Sequence, residues 1–412
     1  MKQTIETRKY YPMIRITRAT VMAVLMTLVL STGASAQGTS YNPISTAVPF
    51  LTITPDSRHG AMGDVGVATS PDASAQYQNP SKYAFAEGRM GFSLSYVPWL
   101  RQLVSDMYLA SFSGYYRLDD RQAFGSSLRY YSIGDITTTG MDQVKTGTVS
   151  PNEFALDVSY SRKLSEHLSG GVALRYIRSD LTGGITGAGA GSESYRAGNA
   201  FSTDISFYHT TAWGGTGTDN TLSTGINISN IGSRISYDQG STRDYLPANL
   251  RLGTTWSRAL GESNSLGLSM DLNKLLVPTP SPGTASAGRN SQGVISSIFS
   301  SFGDAPGGMK EELQEVTLSL GAEYWYRSRL ALRAGYFGEA QNKGDRKYLT
   351  AGVGLKLKMA SVDVSYAMPV RQNNPLANTI RFTLNLNLGS FAPKESTPEP
   401  ETPPAGEAAK QK

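Results

Sequence analysis

The chain has 412 residues, no cysteine, 43 glycines and a formal charge of +5 at pH 7. The lack of cysteine excludes disulfides, thiolate metal sites and cysteine nucleophiles. With only 39% hydrophobic residues, the composition does not fit a bundle of membrane-spanning helices. Five of the basic residues precede residue 19, and no basic run interleaved with aromatic residues follows, so the charge does not indicate a nucleic-acid partner.

Residues 1–36 predict a cleaved Sec signal peptide. A basic stretch ends at Arg18 and is followed by the largely apolar run 21–30. The small residues Ala34 and Ala36 then stand at the −3 and −1 positions of a cleavage site before Gln37. The apolar run is shorter than the ~20 residues that a spanning helix requires. No cysteine follows the cleavage site, so the chain is not a lipoprotein.

Residues 88–391 predict a transmembrane β-barrel. Apolar and polar residues alternate along segments such as 266–273, 316–324 and 380–388, so each strand would have one apolar and one polar face. A soluble sandwich alternates too, but its strands usually have ~5–6 residues, whereas these segments approach the ~9–11 of a tilted membrane strand. Tyrosine and tryptophan near the segment ends fit the aromatic girdles of membrane barrels. These features favour an all-β membrane barrel over a soluble β protein.

The predicted barrel has fourteen antiparallel strands. An even number agrees with bacterial outer-membrane barrels, whose periplasmic turns are short and whose external loops are long. An even number also predicts that both termini are periplasmic. The connection 210–220 is longer than this scheme expects on the periplasmic side. The predicted strands are 90–97, 107–117, 122–133, 153–163, 168–179, 200–209, 221–230, 248–258, 264–274, 314–326, 329–338, 347–357, 361–367 and 378–389. The long connections are 134–152, 180–199, 231–247, 275–313 and 368–377.

Two segments flank the predicted barrel. Residues 37–87 are too many for a disordered end, and we predict that they form a hatch, or plug, inside a lumen too wide for inward side chains to fill. Residues 392–412 are rich in proline and glutamate and predict a disordered periplasmic tail. One apolar stretch in loop 275–313 predicts either a segment that folds onto the barrel mouth or a contact surface for a partner. Its candidate residues are Val294, Ile295, Ile298 and Phe299.

The polar residues give little indication of catalysis, a cofactor or a metal centre. His59, His167 and His209 show no metal-ligand spacing, and the last two fall at predicted periplasmic strand ends. A Ser–His–carboxylate set needs only to meet in space, so a hydrolase remains a minor alternative. Inward charges of both signs favour an ion-pair network that seats the hatch, with a polar permeation path as the alternative. They are Arg129, Asp157, Arg175, Asp204, Arg251, Glu323, Arg333, Lys356, Asp363 and Arg381.

The most specific motif lies in residues 44–85. It comprises Pro49-Phe50-Leu51, Pro55-Asp56-Ser57-Arg58, the glycine-containing stretch 60–72 and the stretch 78–85, which begins Gln78-Asn79-Pro80-Ser81. This ordered set resembles the N-terminal region of the PorV family, outer-membrane proteins of the type IX secretion system of Bacteroidetes. The family usually has alanine where Ser81 stands. The residues of this hatch motif that we expect to be structural are Gly60, Met62, Gly63, Asp64, Gly66, Asn79 and Pro80.

The resemblance implies both a fold and a function. PorV proteins are similar in architecture to FadL fatty-acid transporters, with fourteen strands and an N-terminal hatch. The resemblance implies a non-enzymatic protein that binds the C-terminal domain of secreted cargo at the Sov or SprA translocon. It would then carry cargo to the PorU sortase complex, where cargo is attached to lipopolysaccharide. Alternatives are a FadL-like transporter of hydrophobic small molecules and a lipopolysaccharide O-deacylation factor. Cargo would contact the external loops 134–152, 180–199, 231–247, 275–313 and 337–346.

Overall fold

A computed structural model describes most of the mature chain. The predicted signal peptide and the predicted C-terminal tail lie outside the described residues. Those residues are 41–100, 106–139, 144–183, 196–215, 219–238, 242–280, 292–370 and 379–390.

Fourteen antiparallel strands form a closed barrel, which confirms the predicted fold class. Each strand pairs with its neighbours in the chain, and β1 pairs with β16 to close the ring, with Gly88 opposite Ser390. Two short strands, β4 and β5, form a separate hairpin between β3 and β6. In chain order, the strands are β1 Gly88–Pro98, β2 Tyr108–Arg117, β3 Gln122–Ser132, β4 Ile136–Thr139, β5 Lys145–Val149, β6 Asn152–Lys163, β7 Leu168–Asp180, β8 Gly198–Trp213, β9 Asn220–Gly232, β10 Asn249–Ala259, β11 Ser265–Leu275, β12 Thr317–Tyr326, β13 Leu330–Gly338, β14 Lys347–Lys356, β15 Ala360–Pro369 and β16 Thr379–Ser390.

The alternation in the sequence corresponds to the two faces of the sheet. Leu94 in β1 and Phe112 in β2 are cross-strand partners on the outer face, where both are exposed. Ser93 and Ser113 are likewise partners, but on the inner face, where both are buried. An apolar outer face with a polar inner face is the arrangement of a barrel in lipid. In the described part of the chain, the helices are all too short or too polar to cross a membrane.

Two predicted strand ends were wrong by three or more residues, and one predicted loop contains two further strands. The predicted strand at 314–326 begins at Thr317, because residues 309–314 form a short helix. The connection 210–220 is shorter than predicted, since β8 continues to Trp213 and pairs there with Asn220 of β9. The loop 134–152 contains the β4–β5 hairpin, which lies outside the barrel sheet. Both strands contain threonine, a residue that favours β-strands.

Residues 41–87, the hatch segment, lie inside the barrel. Their only regular structure is a set of short helices: Pro49–Thr52, Ser57–Gly60, Ala75–Gln78 and Pro80–Phe85. The segment contacts inward-facing side chains on strands all around the ring, which places it within the lumen. The barrel partners include Ser113 of β2, Ser206 of β8, Asp271 of β11, Thr350 of β14 and Thr383 of β16.

An apolar core lies between the hatch segment and one side of the barrel. Val48, Phe50 and Leu51 of the hatch are buried against inward-facing residues of β1, β2, β3, β6 and β7. The rings of Phe50 and Tyr131 stack with their centroids 5.9 Å apart. Burying these side chains supplies the hydrophobic stabilisation that a predominantly polar lumen otherwise lacks.

Candidate functional site

The hatch segment approaches the barrel backbone most closely at Gly63 and Gly335. Gly63 has a φ of +68°, a conformation that favours glycine, and a Cβ there would lie 2.4 Å from the carbonyl oxygen of Tyr336. In β13, a Cβ on Gly335 would lie 2.1 Å from the carbonyl carbon of Met62. The side chain of Met62 is buried nearby. The backbone of the hatch therefore packs directly against β13 at Gly335, which has no side chain.

Asn79 joins the hatch to itself and to the barrel. Its side-chain amide donates to the carbonyl oxygens of Val67 at 2.9 Å and Phe207 at 3.0 Å, while its Oδ1 accepts from the backbone N–H and the hydroxyl of Ser81. Pro80 begins the following 3-10 helix, where a missing N–H costs nothing. Asn79 thus satisfies three buried backbone groups as well as forming the turn that the sequence predicted.

Replacement of Asn79 should therefore cost much more stability than replacement of Ser81. In Asn79→Ala, the buried partners lose their bonds, and each unmade buried hydrogen bond costs ~1–3 kcal/mol, for a total of at least about 3 kcal/mol. Ser81→Ala removes only the hydroxyl bond to Asn79 and should cost about 1 kcal/mol. Both losses can be measured as shifts in the urea midpoint of unfolding. The folded barrel is followed by its electrophoretic mobility in unboiled samples. Equal midpoints for the two variants would contradict this assignment.

Other residues of the hatch motif contact inward-facing side chains. The backbone N–H groups of Gly66 and Val67 donate to Oδ2 of Asp271 at 2.7 and 3.0 Å. The Tyr348 hydroxyl donates to Asp64. Gly60 lies against the side chain of Arg381, where a Cβ on the glycine would be 2.8 Å from Nη1 of the guanidinium. Each of these contacts crosses from the hatch to a different strand.

A chain of ion pairs links the hatch to β12, β13 and β15. Arg58 of the hatch donates to both carboxylate oxygens of Glu323, at 3.0 and 2.9 Å. Glu323 also accepts from Arg333, which reaches Asp363 at 2.6 Å. A second buried set on β3, β6, β7 and β8 joins Arg129, Asp157, Arg175 and Asp204. Most of the charges predicted to face the lumen are therefore paired with one another, whereas Arg251 bonds to the neutral side chains of Gln78 and Tyr77.

Lys356 was predicted to face inward, and its pairing with Ser361 of β15 keeps it on the inner face of the sheet. It is nevertheless exposed, because it is the last residue of β14, at the end of the barrel. Inward or buried charges at Asp271, Glu153 and Lys274 were not predicted. Asp271 and Glu153 follow the alternation of their strands and could have been found from it. Lys274 is buried only because Glu312 and Glu315 of the following loop bind it, at 3.0 and 2.6 Å.

His59 lies in a closed polar network within the hatch. Its Nδ1 is 2.8 Å from Oδ2 of Asp56, and its Nε2 is 3.2 Å from the hydroxyl of Thr69. That hydroxyl donates to the carbonyl oxygen of Gly66 and accepts from the ammonium of Lys82. Burial lowers the pKa of Lys82 to about 8, although nearby Asp72 raises it. The hydroxyl is committed to these partners and is buried, so the arrangement is structural rather than that of an activated nucleophile.

His167 and His209 lie at the short-turn end of the barrel. Their ring centroids are 6.2 Å apart, and Nδ1 of His167 is 3.1 Å from the carbonyl oxygen of Thr210. No cluster of three or more metal-ligating side chains occurs among residues that the structure describes. The three histidines therefore occupy two separate places, with His59 in the hatch and His167 and His209 at the short-turn end of the barrel.

A cavity of about 920 Å³, the vestibule, lies between the hatch segment and the long-loop end of the barrel. Its lining combines apolar and charged residues. The apolar residues include Ile44, Phe50, Ile53, Trp99, Leu100, Tyr131, Leu275, Phe337 and Tyr348. The charged residues are Asp64, Arg251, Glu315, Glu339, Lys343, Asp345, Arg346 and Arg381. Neither His59 nor Thr69 contributes to its walls.

The long loop between β11 and β12 presents an apolar surface. Helix Val294–Ser300 turns Ile295 and Phe299 outward, with 60% and 74% of their surfaces exposed, whereas Ser297 is buried. Of the four candidate residues in this loop, Val294 and Ile298 are half-buried. We define the loop patch as the exposed residues Ile295, Phe299, Phe302, Met309 and Leu313.

The loop patch is held in place by ion pairs. Lys343, from the loop after β13, binds Glu311 at 2.6 Å and Glu315 at 3.0 Å. Asn42 of the hatch donates to Glu311 at 2.9 Å. The helix Met309–Gln314 is therefore tied both to the barrel and to the hatch. In the loop, Ser297 is buried and Phe299 is exposed, which is the reverse of the usual preference of these residue types. Exposed apolar patches of this kind often mark contact sites for a partner.

Residues 35–282 match the family model described as type IX secretion system protein PorV, and this match covers more than half of the 412 residues. The chain belongs to the PorV family. The resemblance found in the hatch motif is thereby confirmed. Membership of the PorV family associates the chain with the type IX secretion system, and together with the closed barrel it places the chain in the outer membrane.

Solved structures similar to this PorV-family chain include bacterial transport barrels. The toluene transporter TodX of Pseudomonas putida is 13% identical with a TM-score of 0.45, over 84% of this chain and 98% of that one. A FadL homologue of Pseudomonas aeruginosa is 15% identical with a TM-score of 0.42, over 84% and 99%. The monoaromatic hydrocarbon channel CymD is 12% identical with a TM-score of 0.46, over 84% and 100%. No curated protein matches the chain.

Proposed function

We propose that this PorV-family protein binds the C-terminal domain of secreted cargo at the translocon and carries it to the cell-surface sortase complex. The single observation that carries the proposal is the family match, because it associates the chain with type IX secretion. On this proposal the translocon is of the Sov or SprA type, the sortase is PorU, and attachment takes place beside lipopolysaccharide. The protein would act by binding rather than by catalysis, with no cofactor.

The long-loop end of the barrel supports this role. Gly88 and Ser390, the two ends of the barrel, pair at the opposite, short-turn end. If that end is periplasmic, as in other outer-membrane barrels, the long loops face the exterior, where cargo emerges. The hatch fills the lumen beneath them, so the accessible binding surface at this end is formed by the loops and the vestibule.

The loop patch is the part of this surface that we expect to bind the partner. Its exposed apolar side chains would be covered in a complex, whereas the ion pairs of Lys343 keep them in position before binding. Truncating a few well-placed apolar anchors usually removes most of an interface's affinity. In Ile295→Asn/Phe299→Asn, we expect at least about a tenfold weaker association, which corresponds to about 1.4 kcal/mol.

The experiment is a pull-down of tagged protein from membranes in mild detergent, with mass spectrometry of the recovered proteins. Wild-type protein should recover proteins that share a C-terminal domain, and the double variant should recover far less. A matched control, Leu118→Asn/Leu164→Asn, changes two exposed leucines in short turns and should behave as wild type. Recovery of no such proteins by wild type would contradict the proposed function. Full recovery by the loop double variant would instead show that the loop patch does not bind cargo, and it would leave the proposed function unchanged.

The vestibule favours a second candidate, a FadL-like transporter of hydrophobic small molecules. Its volume of about 920 Å³ is within the range of small-molecule sites. Its apolar lining residues, among them Ile44, Ile53 and Trp99, suit such a ligand. This candidate is tested by the uptake of a labelled fatty acid by cells with and without the gene. Equal uptake by the two would contradict a transport function.

A lipopolysaccharide O-deacylation role has less support. Of the histidines, only His59 meets a carboxylate and a hydroxyl, and all three groups are buried away from the vestibule. We therefore propose that any effect of the protein on lipopolysaccharide arises through its partners.

A further inference from the structure

Arg381 of β16 is a buried cation whose donors lack acceptors in the described part of the chain. Only 3% of its side chain is exposed, and it contributes to the wall of the vestibule. Its Nε and Nη1 atoms are buried without an acceptor among the described residues. Its nearest carboxylate oxygen, Oδ1 of Asp64, is 3.6 Å from Nη2, which is beyond hydrogen-bond distance.

Asp64 does not satisfy this guanidinium. The other oxygen of Asp64 accepts from the hydroxyl of Tyr348, which holds the carboxylate in its position. The remaining cations of the vestibule differ from Arg381. Arg346 binds both oxygens of Glu339 at 2.8 and 2.9 Å, and Lys343 binds two glutamates. Arg251 donates to Gln78 and Tyr77 through Nη1 and Nη2, both at 2.7 Å, and only its Nε lacks an acceptor. Arg381 thus has more unsatisfied donor atoms than the other basic side chains described in the wall of the cavity.

The chemistry of the missing acceptor follows from the donor and from the rest of the lining. A guanidinium presents a planar fork of N–H groups that matches a carboxylate. The same vestibule is also lined by Ile44, Ile53 and Trp99, which offer apolar surface. A group that suits both kinds of lining is a carboxylate at the end of an apolar chain.

We propose that the vestibule is a binding site for a carboxylate carried on an apolar chain, with Arg381 as its anion contact. A free peptide C terminus and a fatty acid share this chemistry, and either can supply it. Gly60 is part of the site, because any larger residue there would meet the guanidinium and displace it. The site goes beyond the proposed cargo binding and does not depend on the loop patch.

Isothermal titration of the purified full-length protein, in a detergent with an uncharged head group, tests the proposal. One pair of probes is octanoate and its methyl ester. The other pair is a six-residue peptide of alanine, valine and leucine with a free C-terminal carboxylate and the same peptide as an amide. Wild-type protein should prefer at least one acid over its neutral counterpart by about tenfold or more, and the pair that shows the preference identifies the source.

Two variants locate the preference. Arg381→Met keeps an unbranched apolar stem but removes the guanidinium and its charge, and should abolish the preference for the acid. Arg89→Met removes an exposed arginine at the short-turn end of the barrel, outside the vestibule, and should preserve the preference. If Arg381→Met yields too little folded barrel, Arg381→Lys replaces the fork by a point charge and should reduce the preference several-fold.

A wild-type protein that binds each acid no better than its neutral counterpart would overturn the site. So would an Arg381→Met or Arg381→Lys variant that keeps the full preference. The pull-down of cargo is a separate readout. Loss of acid preference with normal cargo recovery would remove this site alone, whereas acid preference without cargo recovery would remove the proposed function alone.

Discussion

Gly335→Val is expected to prevent the hatch from seating in the barrel. Even a Cβ at this position would lie 2.1 Å from the carbonyl carbon of Met62 and 2.2 Å from the amide nitrogen of Gly63. Both contacts are with backbone, which cannot move aside as a flexible side chain can. Ordinary overpacking costs ~1–3 kcal/mol, and we expect this substitution to exceed that range because the positive φ of Gly63 also restricts the hatch.

The measurement is the urea midpoint of the folded barrel, together with the rate at which a protease cleaves the hatch segment. Gly267→Val provides a matched control on an inward-facing glycine of β11. A Cβ there would meet its nearest atom, Oγ of Ser257, at 3.4 Å, an ordinary contact. We expect Gly335→Val to lower the midpoint and speed cleavage, with little change in Gly267→Val. Wild-type behaviour of both variants would show that the hatch does not rest against β13.

Glu323→Gln is expected to have the second largest effect. The carboxylate of Glu323 is shared by Arg58 of the hatch and Arg333 of β13, and the side chains of all three residues are largely buried. The amide keeps the shape of the side chain but removes the negative charge between two cations. Breaking a buried ion pair by removal of one partner costs about 3–5 kcal/mol. Because Arg58 and Arg333 retain Asp72 and Asp363, we place the loss near the lower end of that range.

Asp120→Asn supplies the comparison for an exposed ion pair. Asp120 is 3.7 Å from Arg117 with 82% of its side chain exposed, and such surface pairs are worth ~0–1 kcal/mol. Chemical denaturation of the two variants in the same detergent should separate their midpoints clearly. If Glu323→Gln were no less stable than Asp120→Asn, the ion pair between Arg58 and Glu323 would not stabilise the hatch against β12.

The barrel was predictable from the sequence because a single physical rule governs each strand. Alternate side chains face lipid and lumen, so the positions of Leu94 and Ser93, or of Phe112 and Ser113, follow from periodicity alone. Arg175 and Asp157 could be placed on the inner face by the same rule. Periodicity gives the face of the sheet but not the burial, and Lys356, on the inner face at the end of β14, is exposed.

The vestibule and the loop patch could not be predicted, because neither follows from local periodicity. Arg381 was predicted to face inward, but its lack of an acceptor depends on Tyr348 holding Asp64 from another strand. The apolar stretch containing Phe299 was visible, but the ion pair between Lys343 and Glu311 that fixes helix Met309–Gln314 in the same loop was not. Such contacts join residues that are distant in the chain, and a single sequence does not reveal them.

The most direct test of the account is the ion conductance of the purified barrel in a planar lipid bilayer. The central claim is that the hatch segment occupies the lumen and closes it, so the protein acts at its surface. The wild-type protein should then give no stable conducting steps, whereas a chain that lacks residues 41–87 should give large ones. Stable wild-type steps as large as those of the deletion variant would contradict the claim, since the lumen would then be open.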